Sequence, residues 1–211
     1  MIYDKNSNTT TNKHFMNAYT KPKILALGGS LRRASYNQLL ASEVAAGAVA
    51  AGAEVTVISL RDFPMPLFDE DLESESGKPE AARRLKELFA SHDGLIIASP
   101  EYNSSITAAL KNAIDWVSRG DSEGEKTLSA LAGKTAVICA ASPGALGGLR
   151  GLVHLRSILG NIGITVLPDQ IAIGSAYEAF DGEGHLKGEA QAKRVHAIGA
   201  SLTKHLQKLL A

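Results

Sequence analysis

Two hydroxyls, an amide and a pair of guanidinium groups crowd the stretch Gly28-Gly29-Ser30-Leu31-Arg32-Arg33-Ala34-Ser35-Tyr36-Asn37. Ser30 and Ser35 bring O–H donors, Asn37 an N–H donor, and Arg32 or Arg33 a charged fork. Together these suit a phosphate. The same residues also read as a plain strand-to-helix turn in which Ser35 caps the helix. Other phosphate loops fit less well, because neither G-x-G-x-x-G nor G-x-x-x-x-G-K-[ST] occurs here. With no lysine placed for a triphosphate, a monophosphate gripped by hydroxyls and one arginine is the better match.

A second group is Ser99-Pro100-Glu101-Tyr102-Asn103-Ser104-Ser105. A strand ending in Pro-Glu-Tyr-Asn gives a rigid turn with exposed N–H groups and an aromatic ring, against which a flat heteroaromatic ligand could stack or lie edge-on. The competing reading is a turn in which Asn103 or Ser104 caps the following helix. Ser142–Gly148 is a third unusual loop, rich in glycine. The remaining polar groups suggest less. Asp69, Glu70, Asp71 and Glu73 sit on an irregular stretch and read as acids facing water rather than as a metal site. The histidines at 92, 154, 185, 196 and 205 lack metal-ligand spacing. Cys139, the single cysteine, lies in an apolar run and reads as a small core residue.

Placing these loops requires a scaffold, and the apolar pattern supplies one. Short buried runs at Ile24–Leu27, Glu54–Leu60, Gly94–Ser99, Lys134–Ala140 and within Gly163–Ile173 read as strands, the last interrupted by Pro168. Helical segments alternate with them at Tyr36–Ala51, Pro79–His92, Ile106–Arg119, Leu149–Leu159 and Glu189–Leu210. Arg61–Lys78 reads as irregular. Repeated β-α alternation predicts an α/β fold in three layers, a doubly wound, five-stranded parallel sheet with helices on both faces. In such a sheet the ligand lies beyond the carboxyl ends of the strands, beside the first strand, where all three unusual loops would converge.

Residues 22–211 are expected to form this one domain, and 1–21, Asn/Thr-rich and aperiodic, a flexible N-terminal extension. Lys plus Arg equal Asp plus Glu at 22 each, which argues against nucleic acid and against a polybasic membrane contact. Met1–Thr20 lacks a hydrophobic segment, and no uncharged run approaches a membrane span, so a cytoplasmic location is expected.

Three motifs together carry a family resemblance: G-S-L-R-x-x-S-x-N at Gly29–Asn37, S-P-E-Y-N-x-S with L-K-N-A-I-D-W-x-S-R at Ser99–Arg119, and a glycine loop ending in Leu149-Arg150. From about Lys21 onward the chain resembles the NADPH-dependent FMN reductases, flavodoxin-like proteins that include quinone, chromate and azo-dye reductases. The resemblance implies strand order 2-1-3-4-5. It puts an FMN phosphate on Ser30, Arg32, Ser35 and Asn37, the isoalloxazine ring against Pro100, Glu101, Tyr102 and Asn103, and the ring's pyrimidine end near Ser142 and Gly144. NADPH, or NADH, would be the co-substrate, passing a hydride to flavin N5, so no protein acid or base is expected to be catalytic. The acceptor would be a quinone or another small molecule such as chromate, an azo compound or free flavin. Backbone N–H groups of Ser142–Gly148 are expected to steady the charge that builds near flavin N1 on reduction. A homodimer or homotetramer is implied, with Arg150 and Arg156 either packing at its interface or facing solvent. Arg33 and Arg150 are both candidates for a 2′-phosphate. Two other readings stand beside this one: a flavodoxin-like electron carrier, which the neutral charge disfavours, and a non-flavin nucleotide-binding domain.

Overall fold

The apolar runs become strands in the computed structural model, which describes residues 21–121 and 124–211. Strand β1 (Lys23–Gly28) is buried after its first residue, and β3 (Gly94–Ala98) and β4 (Thr135–Ala141) are buried throughout. Strands covered on both faces need such continuous apolar sequence. The strands β2 (Glu54–Ser59) and β5 (Thr165–Ile173) are partly exposed, as edges are. The five are all parallel, in the order β2-β1-β3-β4-β5.

Alternate strand residues feed two cores. Helices α1 (Tyr36–Ala50) and α7 (Glu189–Leu209) cover Ile24, Ala26, Ile96, Val137 and Cys139. On the other face α3 (Glu80–Ala90), α4 (Ala108–Ser118) and α5 (Leu149–Asn161) cover Leu25, Leu27, Leu95, Ile97 and Ile138. Cys139 is fully buried, and burial holds its thiol far above the usual range, so it serves as core and not as a nucleophile. Helices α1 and α7 approach closely: a Cβ on Gly47 would collide with the carbonyl of His196, and one on Gly199 with the carbonyl of Val44.

Two segments depart from the sequence reading. Arg61–Lys78, expected to be irregular, contains a single-turn 3₁₀ segment and the short helix α2 (Glu70–Ser76). The Asp69 carboxylate caps α2 by accepting from the N–H of Asp71 at 2.9 Å, and Glu70, Asp71 and Glu73 occupy its first turn. The acid cluster is therefore explained by the positive end of a helix dipole. A further helix, α6 (Ala176–Ala179), follows β5 and was not anticipated. Pro168 does not end β5: its edge position tolerates the missing N–H, and the pairing with β4 shifts register between Ala136 and Ile138. Arg156 faces this irregularity, donating from Nη1 to the carbonyls of Val166 and Leu167 (both 3.0 Å) and from Nη2 to Gln170 Oε1 (2.8 Å). It is committed to its own sheet edge rather than left on an open helix face. Among the described residues, no helix is long and apolar enough to cross a membrane. The expected extension falls, apart from Lys21, outside the described residues.

Candidate functional site

β1 ends at Gly28, where a Cβ would strike the backbone of Gln38, so the first turn of α1 sits directly against the strand end. Gln38 bolts it there, accepting at Oε1 from Gly28 N (3.2 Å) and donating from Nε2 to the carbonyl of Ile58 (3.0 Å). Gly29 carries the sheet pairing one residue further by donating to the carbonyl of Ala98 at 2.8 Å. Ser35 is the N-cap of α1, its Oγ accepting from Gln38 N at 3.3 Å. The Ser30 Oγ accepts from Arg32 N at 3.1 Å. Each hydroxyl still has its own proton to donate, and the first-turn amides of α1 have no partner within the helix. Such a set of donors suits an anion. The capping role of Ser35 and a binding role for it are therefore compatible readings.

Asn37 is buried and clasps β4: its Nδ2 donates to the carbonyl of Ala141 (2.7 Å) and its Oδ1 accepts from the Ala141 N–H (2.9 Å). The amide is thus a staple between the first and third loops, with one Nδ2 hydrogen left over. Arg32 is exposed, and its guanidinium lies 5.2 Å from the centroid of the Tyr36 ring. Tyr36 stacks in turn on Phe180, with centroids 5.8 Å apart and ring planes 19° from parallel.

The second loop is a tight turn. Asn103 (φ 50°) and Ser104 (φ 68°) are both left-handed, and Tyr102 and Ser105 exchange backbone hydrogen bonds at 2.9 and 3.1 Å across them. Two successive positive φ values define the primed hairpin-type turn. The turn leaves the Tyr102 ring 57% exposed. Neither Asn103 nor Ser104 caps α4. Thr107 does, accepting from Leu110 N at 3.1 Å while its Oγ1 donates to the carbonyl of Gly29 at 2.5 Å. The one side chain both starts α4 and ties the second loop to the first.

The carboxylate of Glu101 turns toward α5. Its Oε2 accepts from the N–H groups of Arg150 (3.0 Å) and Gly151 (3.2 Å), and its Oε1 from Arg150 Nε (2.7 Å) and Nη2. The side chain is only 7% exposed. Burial by itself would raise its pKa, but the Arg150 guanidinium and the Gly151 amide outweigh that and hold it below the usual carboxylate range.

In the third loop the Ser142 N–H donates to the carbonyl of Ile173 (3.0 Å), Gly144 N to Ser142 Oγ (3.3 Å) and Gly147 N to the carbonyl of Gly144 (3.1 Å). One of these amides is spent on β5 and two inside the loop, leaving any stabilisation of ligand charge to others. The need for glycine lies at Gly147 (φ 62°) and Gly148 (φ 93°), where a Cβ would strike the Ile173 backbone and Ala140. At Gly144 a Cβ would meet only Ser142 Oγ, at an ordinary contact distance of 3.8 Å.

One cleft of about 160 Å³ takes in Ser30, Arg32, Ser35, Tyr36 and Asn37 from the first loop, Pro100, Glu101 and Tyr102 from the second, and Ala141, Ser142 and Pro143 from the third. Of the sequence-derived set, Asn103 and Gly144 do not line it. Tyr36, Ala141 and Pro143 were missed; only Tyr36 left a signal, an aromatic between two donors. A larger pocket of about 350 Å³ lies beyond Leu31, walled by Phe63, Pro64, Met65 and Ala109. Arg61 and Asn112 are its polar lining, and it holds no serine or threonine.

The profile of the family described as NADPH-dependent FMN reductase matches residues 22–178. The chain belongs to that family. It is an oxidoreductase that works with FMN and NAD(P)H. It is 38% identical over 165 residues to an NAD(P)H-dependent FMN reductase of Pseudomonas aeruginosa, covering 78% of this chain and 84% of that one. It is 39% identical over 139 residues to a quinone reductase of Escherichia coli K12, covering 66% and 70%. Among solved structures it is similar to the flavoenzyme NAD(P)H:(acceptor) oxidoreductase of Paracoccus denitrificans, with a TM-score of 0.74 at 26% identity over 89% of this chain and 98% of the other. The expected flavodoxin-like strand order is the one the family member adopts here.

Proposed function

We propose that FMN binds in this cleft and that the chain reduces quinones and related small acceptors with NADPH or NADH as donor. What carries the reading is the convergence, in a family of FMN reductases, of the α1 N-terminus, Ser30, Ser35 and Arg32 with the Pro100–Tyr102 turn at a single cleft. The donor set suits a flavin mononucleotide. Two hydroxyls, an arginine and helix-end amides face one end, and a rigid turn with an aromatic ring faces the other. The single carboxylate in the cleft lining, Glu101, is already neutralised by Arg150 and so does not repel a phosphate.

When bound, FMN supplies the redox chemistry that links a hydride donor to the acceptor. The protein's part is binding, orientation and electrostatics. Ser30, Ser35 and Arg32 hold the phosphate. Asn37 acts mainly by fixing the first loop to the third. Pro100 and Tyr102 bound the ring, and Glu101 sets the spacing between the second loop and α5. Arg150 cancels the Glu101 charge, so an anionic donor meets no uncompensated carboxylate there. A homodimer or homotetramer and a cytoplasmic location belong to the same reading; exposed Leu146, Leu149 and Val153 beside the cleft are the surface that a second copy would cover.

Steady-state NADPH oxidation by the FMN-loaded protein, with and without a soluble benzoquinone, tests the proposal. Turnover that depends on both FMN and quinone is expected. An FMN-loaded protein that oxidises NADPH no faster than free FMN would leave the electron-carrier reading in its place.

A further inference from the structure

The Tyr36 ring has two close neighbours, the Arg32 guanidinium and the ring of Phe180. Phe180 comes from the segment after α6, remote in sequence from the phosphate loop, yet it is 4% exposed and packs in the same core as α1. Its position is fixed by a closed turn. Phe180 and Leu186 form an isolated antiparallel bridge. Within it the Asp181 N–H donates to the carbonyl of His185, and Asp181 Oδ1 accepts from the N–H groups of Glu183 and His185, all at 2.9 Å. The turn is then pinned to α1 a second time, by His185 Nδ1 against Glu43 Oε1 at 2.9 Å. Glu43 lies two helical turns beyond Tyr36, so one turn of chain grips one helix at two points.

We propose that Phe180 is a positioning residue for the phosphate of FMN, acting through the ring of Tyr36 on the guanidinium of Arg32. The inference rests on the reading of the first loop as the FMN phosphate site. An exposed arginine samples many rotamers, and confining it to the orientation that meets the phosphate raises affinity without adding a contact to the ligand. Attraction between the guanidinium and the face of Tyr36 supplies that confinement. The face of Tyr36 is available only while its ring plane is held, and the near-parallel Phe180 ring holds it. A leucine at 180 would fill most of the volume but would not fix the plane.

The test is the affinity of flavin-stripped protein for FMN and for riboflavin, read by quenching of flavin fluorescence. Riboflavin shares the ring and lacks the phosphate, so the ratio of the two affinities isolates the phosphate subsite. Phe180→Leu is expected to weaken FMN about fivefold and to leave riboflavin unchanged. Phe180→Tyr should restore the ratio, and Phe180→Leu added to Arg32→Ala should lower it no further. Tyr36→Leu makes the same measurement from the other side of the stack should Phe180→Leu fold poorly. A ratio unchanged from wild type in the variants, or equal losses for both flavins, would overturn the inference while leaving the site reading intact. A wild-type protein that binds both flavins equally would overturn the phosphate-site reading itself, and the inference with it.

Discussion

The two ends of the cleft are built differently. At the proposed phosphate end the donors Ser30, Ser35 and Asn37 are buried and Arg32 is exposed, and the loop that carries them is bolted to β1, β2 and β4 by Gln38 and Asn37. At the ring end the exposed Tyr102 stands on a turn with two left-handed residues, held by the Glu101–Arg150 clasp and by Thr107. Both ends are tied by bonds between residues far apart in sequence, but at the first these are buried or half-buried. At the second, one of them goes to an arginine that is mostly in solvent. On the proposed reading, anion affinity belongs to the more buried end and adaptability toward ring-shaped partners to the looser one. Loops that carry function are drawn from the less stable parts of a fold.

Four changes probe that difference, in order of expected size. Gly148→Ala sets a side chain at φ 93° and against Ala140. It should destabilise the fold by about 3 kcal/mol, read by denaturant unfolding, and a loss below about 1 kcal/mol would mean the third loop repacks freely. Asn37→Ala leaves the buried N–H and C=O of Ala141 without partners, and about 2 kcal/mol of stability should go with them. An equal loss of riboflavin and FMN affinity should accompany it, because the staple serves both ends. Glu101→Gln should be milder, about 1 kcal/mol, since Arg150 is 59% exposed and its pair is screened.

That third change also has a pH signature. The carboxyl of Glu101 titrates lower in the folded chain than when unfolded. Its contribution is therefore present above the ordinary carboxylate range, roughly pH 4, and is lost as pH falls through the depressed folded value. The stability gap between wild type and Glu101→Gln should narrow on acidification, and a gap that widens would contradict the clasp. Last, Ser30→Ala removes one proposed phosphate donor, whose only bond in the frame is the one it accepts from Arg32 N. FMN affinity should fall severalfold, by about 1 kcal/mol, with the unfolding midpoint unmoved.

How much of this was legible in the sequence follows the same division. The sheet could be read because its strands are continuous apolar runs, and the first loop of the cleft because its polar side chains are near neighbours in the chain. Helix α2 was hidden, since seven residues rich in acids show no apolar period, although Asp69 before Glu70 is a capping signal. The partnerships Asn37 with Ala141, Thr107 with Gly29, Glu101 with Arg150 and Tyr36 with Phe180 were not readable. Each joins residues from separate β-α units, and neither periodicity nor local propensity reports which loop side chains meet once the sheet has formed. Glu101 shows the consequence: its motif pointed at the ring, whereas its carboxylate is bonded to the start of α5.

A crystal structure of the protein soaked with FMN bears most directly on the account. The account predicts density for the phosphate at the N-terminus of α1, within hydrogen-bond reach of Ser30, Ser35 and Arg32, with the ring beside Pro100 and Tyr102. Density for the phosphate anywhere else, or a cleft that stays empty at saturating FMN, would contradict it.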